Sequence, residues 1–530
     1  MRVSSIVIVG GGSSGWMTAA ALSKVFKDIH ITLVESSKIG IIGVGESTLS
    51  LINKFLKLLD LKDEEWMPFC DATYKNSIRF TNFGKIGSVF EYPFGEIDIR
   101  KKYHSVLDWH ELRALYPEEY PPESFAKFYN ENTYLAEQNK QTRNENGKLK
   151  FFNFEYDTAY HMNSEKFGQY LKNKIAVPNG VLHLEGKVVK WEQDEIGNIT
   201  KLITDTGHIL QADLFVDCTG FKSLLLEQIC ESPFISFRNV LMNNKAVVAK
   251  IPYVNRKTEI CNVTNCTAIQ NGWVWNIPLW DRIGTGYVYN SDLICEDQAE
   301  LEFRNHLARK PEYKKRAMES DVFTINIRNG KHREAWVNNV VSVGLSYGFI
   351  EPLESNGLML THENILSLVE VLSRKDRYVN QFDISTFNLF CDCTFETCKN
   401  FIVAHYALSS REDTLYWKMA TNQNRYIDNN LDFDAPSNHT WRALFESHFY
   451  NRESFNMNIG INYIAAGMGY NRVTSSWIKI HRGDNCEDLE HIKNTWKKYN
   501  EDMVEYVRTL PTNYEFLRDN IYGGVDEHLS

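Results

Sequence analysis

The chain has 530 residues, of which 43% are hydrophobic and 30 are glycine; 68 acidic residues against 58 basic ones give a net charge of -10. That apolar share excludes a mainly disordered chain. No run approaches the roughly 18 apolar residues of a membrane span, and the mean hydropathy is -0.37. The acidic balance argues against a nucleic-acid groove, which needs a basic stripe. The short runs Arg100-Lys101-Lys102 and Arg309-Lys310 have acids nearby and read as solvated faces. Ten cysteines are too sparse for a disulfide scaffold. Met1-Arg2-Val3-Ser4-Ser5 carries no apolar signal region. A reducing, cytoplasmic setting is expected, in which the sequons at Asn198-Ile199-Thr200 and Asn438-His439-Thr440 are chance matches.

Ile6-Val7-Ile8-Val9 is an apolar, β-branched run of buried-strand type. It ends in Gly10-Gly11-Gly12-Ser13-Ser14-Gly15, and Trp16 to Leu22 reads as helix. A second strand, Ile29 to Val34, ends in Glu35, about 20 residues after the last glycine, the spacing of a dinucleotide fingerprint. The glycines allow a tight turn, the helix start offers N–H groups to a pyrophosphate, and the acid can accept from a ribose. Gly10, Gly12, Ser13, Ser14, Gly15 and Glu35 are therefore expected to bind cofactor. A second glycine-rich turn, Ile39-Gly40-Ile41-Ile42-Gly43-Val44-Gly45-Glu46-Ser47-Thr48, follows closely. It suits an extended cofactor such as FAD, adding Gly45, Glu46 and Ser47 to the set. Strand-like segments return later, at Leu210 to Asp217 ending in D-x-T-G, and at Val340 to Val343 running into Gly344-Leu345. A nucleotide-binding core whose strands return from distant sequence is typical of flavoprotein monooxygenases.

Further blocks narrow the chemistry. Gly272-Trp273-Val274-Trp275-Asn276-Ile277-Pro278 reads G-W-x-W-x-I-P, and Phe349-Ile350-Glu351-Pro352-Leu353-Glu354-Ser355 contains E-P-L-E-S. With the N-terminal glycine motif continuing to Trp16 and with Gly43-Val44-Gly45-Glu46-Ser47-Thr48, these make the sequence resemble the flavin-dependent halogenases of the tryptophan-halogenase type. Weaker matches are Leu135-Ala136 with Asn139-Lys140, Ala159-Tyr160-His161, and His405-Tyr406 before Arg411. The resemblance runs from residue 1 to about residue 420. It implies that FADH2 from a separate flavin reductase reacts with O₂ to give a flavin hydroperoxide, which oxidises a halide ion to hypohalous acid. That oxidant would travel through an internal tunnel to a lysine and halogenate an electron-rich aromatic ring.

The family lysine lies in an A-[TF]-[YF]-K segment, here Ala72-Thr73-Tyr74-Lys75. Lys75 stands near Ile78, Phe80 and Phe83 on an alternating segment, and desolvation lowers the pKa of a partly buried ammonium. It would bind hypohalous acid or form a haloamine; without the family motif a snorkelling surface lysine is the commoner outcome. The second catalytic candidate is Glu354, which in the family positions the oxidant or takes the proton from the ring intermediate. Glu354 and Ser355 also suit capping of the helix-like stretch from Leu358 to Leu372. The resemblance puts the halide on the two residues after the serine, Asn356 and Gly357; the first is commonly Thr or Ser, so Asn356 departs from the pattern. Leu345 and Leu358 match positions near the isoalloxazine, and Val188 matches one contacting the adenine end through its main chain. Trp273 and Trp275 fall on one face of a strand. They serve either as a barrier between organic substrate and flavin or as ordinary core.

Cys391, Cys393 and Cys398 have poor zinc spacing, and no metal site is expected. The expected fold is α/β, an FAD-binding Rossmann-like flavoprotein monooxygenase core with a mainly helical substrate module. The core (1–375) is discontinuous, drawn from about 1–80, 155–230 and 320–375, with substrate-module segments inserted; 376–530 is the mainly helical C-terminal part. The expected partners are a small aromatic substrate, an indole first, and the reductase, with no nucleic acid and no membrane span; a homo-oligomer stays open. Phe455, Tyr463 and Tyr470 are candidates for a substrate lid. An FAD-dependent aromatic hydroxylase and a non-catalytic flavin-binding protein are the alternatives; the halogenase-type blocks argue against the first, Lys75 and Glu354 against the second.

Overall fold

The computed structural model describes residues 2–37, 43–95, 107–427, 459–471, 473–482 and 487–524. Residues 39–42 of the second glycine turn, the basic run 100–102, the sequon at 438–440 and Phe455 lie outside the described residues. The chain divides into two compact units. The first is Met1–Ala72, His161–Asn244 and Asn326–Lys399; the second is Thr73–Tyr160, Lys245–Ile325 and Asn400–Ser530.

The first unit is a Rossmann-like α/β layer. Its six-stranded sheet runs Trp336–Val337, Val340–Ser342, Leu214–Asp217, Ser5–Val9, His30–Glu35, Leu182–Glu185. All neighbours are parallel except the edge hairpin. The central strand is buried on both faces, so its apolar residues run without alternation. Val7, Val9, Val34, Phe215 and Val340 form one apolar cluster with Leu224 and Leu225. The helix Ser13–Val25 buries Trp16, Met17 and Ala19 to Leu22. Asp213 pins the start of the central strand by accepting from the backbone N–H and hydroxyl of both Ser4 and Ser5. The turns after Val9, Asp217 and Ser342 all leave carboxyl ends of parallel strands, where open α/β sheets bind ligands.

The second unit is built on a seven-stranded sheet in the order Val322–Asn326, Lys245–Ile251, Ile283–Tyr289, Gly272–Pro278, Val263–Ile269, Ser77–Thr81, Val89–Pro93. Val263–Ile269 pairs parallel with Ser77–Thr81, which joins the early segment to the middle of the chain. The later sequence is helical: Leu415–Ile427, Ile459–Gly467, Ser475–Arg482, Glu487–Arg508 and Asn513–Asn520. Tyr463, Ile478, Leu489 and Ile492 pack with Trp109, Tyr120, Phe125 and Phe128 in an aromatic-rich core. The last of these helices opens on a capping box in which Thr512 and Glu515 satisfy each other's N–H groups. No helix among the described residues is long and apolar enough to cross a membrane.

Candidate active site

The first turn of the first unit is shaped for close backbone approach. Gly10 has φ 110°, and a Cβ there would stand 2.3 Å from the carbonyl oxygen of Cys218, so only glycine fits. The helix that follows has no side-chain cap at Gly12, and a Cβ on Gly12 would meet nothing within 4 Å. Ser13 and Ser14 thus stand at a helix start with space before it, which leaves orphan N–H groups for an anion. Glu35 ends the neighbouring strand. Its Oε1 accepts from Lys172 Nζ at 3.1 Å and lies 2.8 Å from His183 Nε2. The Glu35 carbonyl accepts from Gly186 N at 2.8 Å, which draws the segment leading to buried Val188 alongside.

Gly45, Glu46 and Ser47 lie in the same unit, Glu46 and Ser47 pairing antiparallel with Met162 and His161. Burial pushes the Glu46 carboxyl up to about 7. Ser47 Oγ accepts from Ser355 Oγ at 3.0 Å, which ties this turn to the E-P-L-E-S turn. Ser355 has φ 58°, a left-handed conformation that a serine holds only under constraint. The turn Pro352–Glu354 ends there and the helix Asn356–Ser373 begins. Glu354 and Asn356 are buried, and neither polar atom of the Asn356 amide has a hydrogen-bond partner among the described residues. A small cavity of about 10 Å³ is lined by Leu345, Gly357, Leu360 and Thr361 among others, so the structure brings the expected flavin-side Leu345 to the expected halide residue Gly357. Leu358 is buried beside it in sequence, whereas Leu345 is 41% exposed.

In the second unit, Lys75 ends the strand Thr73–Lys75 and is fully buried (0%). Its Nζ stands 4.9 Å from the centre of the Phe94 ring. The strand is fastened on either side of the lysine. Thr73 Oγ1 donates to the Pro278 carbonyl at 2.6 Å. Asn76 Nδ2 donates to Asn132 Oδ1 at 2.7 Å, Gln141 Nε2 donates to Asn76 Oδ1 at 2.9 Å, and Asn132 Nδ2 returns to the Asn76 carbonyl at 3.0 Å. Trp273 and Trp275 do share a face, with ring centres 6.0 Å apart. Gly286 on the next strand makes room for Trp275: a Cβ there would stand 2.2 Å from the indole. The Trp273 indole N–H has no partner among the described residues. Tyr463 is core, and Tyr470 packs against a small cluster of Ala404, Ile461 and Ala465.

Asn76, Asn132, Gln141 and Gly286 lie outside the sequence motifs, and Asp217 enters them only as the acid of D-x-T-G. Buried Asp217, in the D-x-T-G turn, accepts from Thr219 and from the N–H groups of Leu225 and Leu226, so it shapes the turn. The one signal for Asn76 is an asparagine between two strands, where it is a poor strand former.

Residues 5–478 match the tryptophan halogenase family model. The chain belongs to the tryptophan halogenase family. It is 36% identical over 434 residues to the 7-chloro-L-tryptophan 6-halogenase KtzR of Kutzneria sp. (strain 744), covering 78% of this chain and 81% of that one. Among solved structures it resembles the apo structure of VirX1, with 49% identity, TM-score 0.91, and coverage of 98% and 100%. It also resembles Tar14, a tryptophan C-6 flavin-dependent halogenase from taromycin biosynthesis, with 31% identity, TM-score 0.80, and coverage of 97% and 99%. The protein is accordingly a flavin-dependent halogenase, an oxidoreductase on the Rossmann-like FAD fold.

The family implies FAD and a halide, and the residues present fit the flavin. The open space at Gly12 and the uncapped helix start suit a pyrophosphate, and the Glu35 carboxylate, at the end of the neighbouring strand, can accept from a ribose. No group of three or more metal-ligating side chains is found among the described residues.

Proposed function

We propose that this halogenase transfers an oxidised halogen to an electron-rich small aromatic, an indole or tryptophan-like compound, through Lys75 and Glu354. The observation that carries the reading is the full burial of Lys75 at the position of the family lysine, since most lysines stay at the surface. Reduced FAD delivered by a separate reductase would give two electrons to O₂ and the halide the other two, yielding water and hypohalous acid. Gly10, Gly12, Ser13, Ser14, Gly15 and Glu35 hold its pyrophosphate and ribose. Gly45, Glu46, Ser47, Val188, Leu345 and Leu358 line the rest of its length. The N–H groups of Asn356 and Gly357, at the start of an 18-residue helix, receive the halide.

Lys75 donates a hydrogen bond to the oxidant or carries the halogen as a haloamine, and in either form points it at the ring carbon. When the carbon–halogen bond forms, the displaced ring proton goes to the Glu354 carboxylate. Trp273 and Trp275 act by bulk, keeping organic substrate from the flavin. The similarity to KtzR and Tar14, which are tryptophan halogenases, favours an indole ring.

The test is the purified protein with reductase, FAD, NADH and O₂, given a panel of indoles, phenols and pyrroles with chloride, bromide and iodide in turn. A halogenated indole read by mass spectrometry is expected. Hydroxylated product independent of halide would replace this reading with a hydroxylase, and no product from any indole would remove the substrate class.

A further inference from the structure

The turn that carries Glu354 is held at both ends by buried polar groups, and those at its first end have no part in the chemistry above. Glu351 is fully buried, and its Oε2 accepts from Asn243 Nδ2 at 2.7 Å. Its backbone N–H donates to Asn329 Oδ1 at 2.7 Å. Asn329 Nδ2 in turn donates to the Asn243 carbonyl at 2.9 Å, which closes a ring of three residues. Asn243 and Asn329 are themselves buried. Beyond the ring, Leu353 N donates to the Glu351 carbonyl at 2.9 Å and Ser355 N to that of Pro352 at 3.1 Å. At the far end Ser355 is fastened to Ser47. Pro352 adds a fixed φ between these anchors.

A buried carboxylate is costly to keep where an apolar side chain of the same size would pack. Here it ties a sharp turn to two asparagines from distant parts of the sequence, and Glu354 stands three residues on. We infer that Asn243, Asn329 and Glu351 are positioning residues that fix where the Glu354 carboxylate stands, and that Glu351 takes no proton in the reaction. The inference rests on the reading above, in which Glu354 is the proton acceptor.

Glu351→Gln keeps an oxygen for Asn243 and removes the charge; Glu351→Leu and Asn243→Ala remove the bond. Each variant is assayed for product formed per reduced flavin consumed, for bromide KM, for the pH profile, and for FAD binding by fluorescence. Glu351→Gln is expected to stay within about threefold of wild type with an unchanged pH profile. Glu351→Leu and Asn243→Ala are expected to lower product per flavin about 10- to 100-fold, the scale of a misplacement near 1 Å, with bromide KM within about threefold and FAD binding kept. Asn243→Ser, too short to span to Glu351, replaces Asn243→Ala if that variant does not fold, with the same expectation.

Loss of product in Glu351→Gln with FAD bound would make Glu351 a catalytic group and overturn the inference. So would an unchanged product-to-flavin ratio in Glu351→Leu and in the Asn243 variant, because loss of stability alone lowers product and flavin consumption together. A wild type that makes no product, or a Glu354→Gln variant as active as wild type, would instead overturn the reading of Glu354 on which the inference stands.

Discussion

Replacing Asn76 with alanine removes the fastening beside Lys75. The Asn76 amide gives hydrogen bonds of 2.7 Å to Asn132 and 3.4 Å to Gln141 Oε1, which also accepts from Thr142 N, and takes one of 2.9 Å from Gln141 Nε2, Asn76, Asn132 and Gln141 all being buried. The substitution strands two groups, Asn132 Oδ1 and Gln141 Nε2. Each stranded buried group costs about 1–3 kcal/mol, so the loss is about 2–6 kcal/mol, toward the low end where a water enters the space. Native-state hydrogen exchange reads this locally. At 1.4 kcal/mol per tenfold, even 2 kcal/mol speeds exchange of the Thr73–Lys75 and Ser77–Thr81 amides about 30-fold. Halogenation falls with it while FAD binding remains. Exchange in those strands within threefold of wild type would refute the claim that the amide network holds the lysine strand.

Gly286→Ala is expected to displace the Trp275 indole, at a cost of about 1–3 kcal/mol of overpacking, because the new Cβ falls 2.2 Å from the ring; a shifted tryptophan emission and a lower unfolding temperature check this. Glu46 titrates near 7 in the folded FAD-free protein and near the ordinary carboxylate range when unfolded, so between those limits the folded state binds the extra proton. Stability of that form therefore falls as pH rises toward 7. Glu46→Gln is expected to flatten that slope, and an unchanged slope in urea unfolding followed across pH 5 to 8 would count against it.

The cofactor side is legible because its signals are local. Ile6 to Val9, the glycines at 10, 12 and 15 and the acid at 35 fall within one βαβ unit, and each element announces its own period. The shared face of Trp273 and Trp275 follows in the same way from period-two geometry. What stays hidden depends on pairing between distant segments. Nothing in Ser77–Thr81 says that it lies parallel to Val263–Ile269, and nothing in Gly286 says that an indole fills the space above it. The asparagine brackets around Asn76 and Glu351 are hidden for the same reason. A buried amide is satisfied by partners from elsewhere in the chain, and only the folded arrangement names them.

Lys75→Ala removes the buried amine on which the proposed halogen transfer depends. Wild type and variant are given reductase, FAD, NADH, O₂, bromide and an indole, with FAD binding and flavin oxidation measured beside product mass. The bromine isotope doublet is expected from wild type alone, with FAD binding and flavin oxidation intact in both. Brominated indole from Lys75→Ala at the wild-type rate would contradict that dependence.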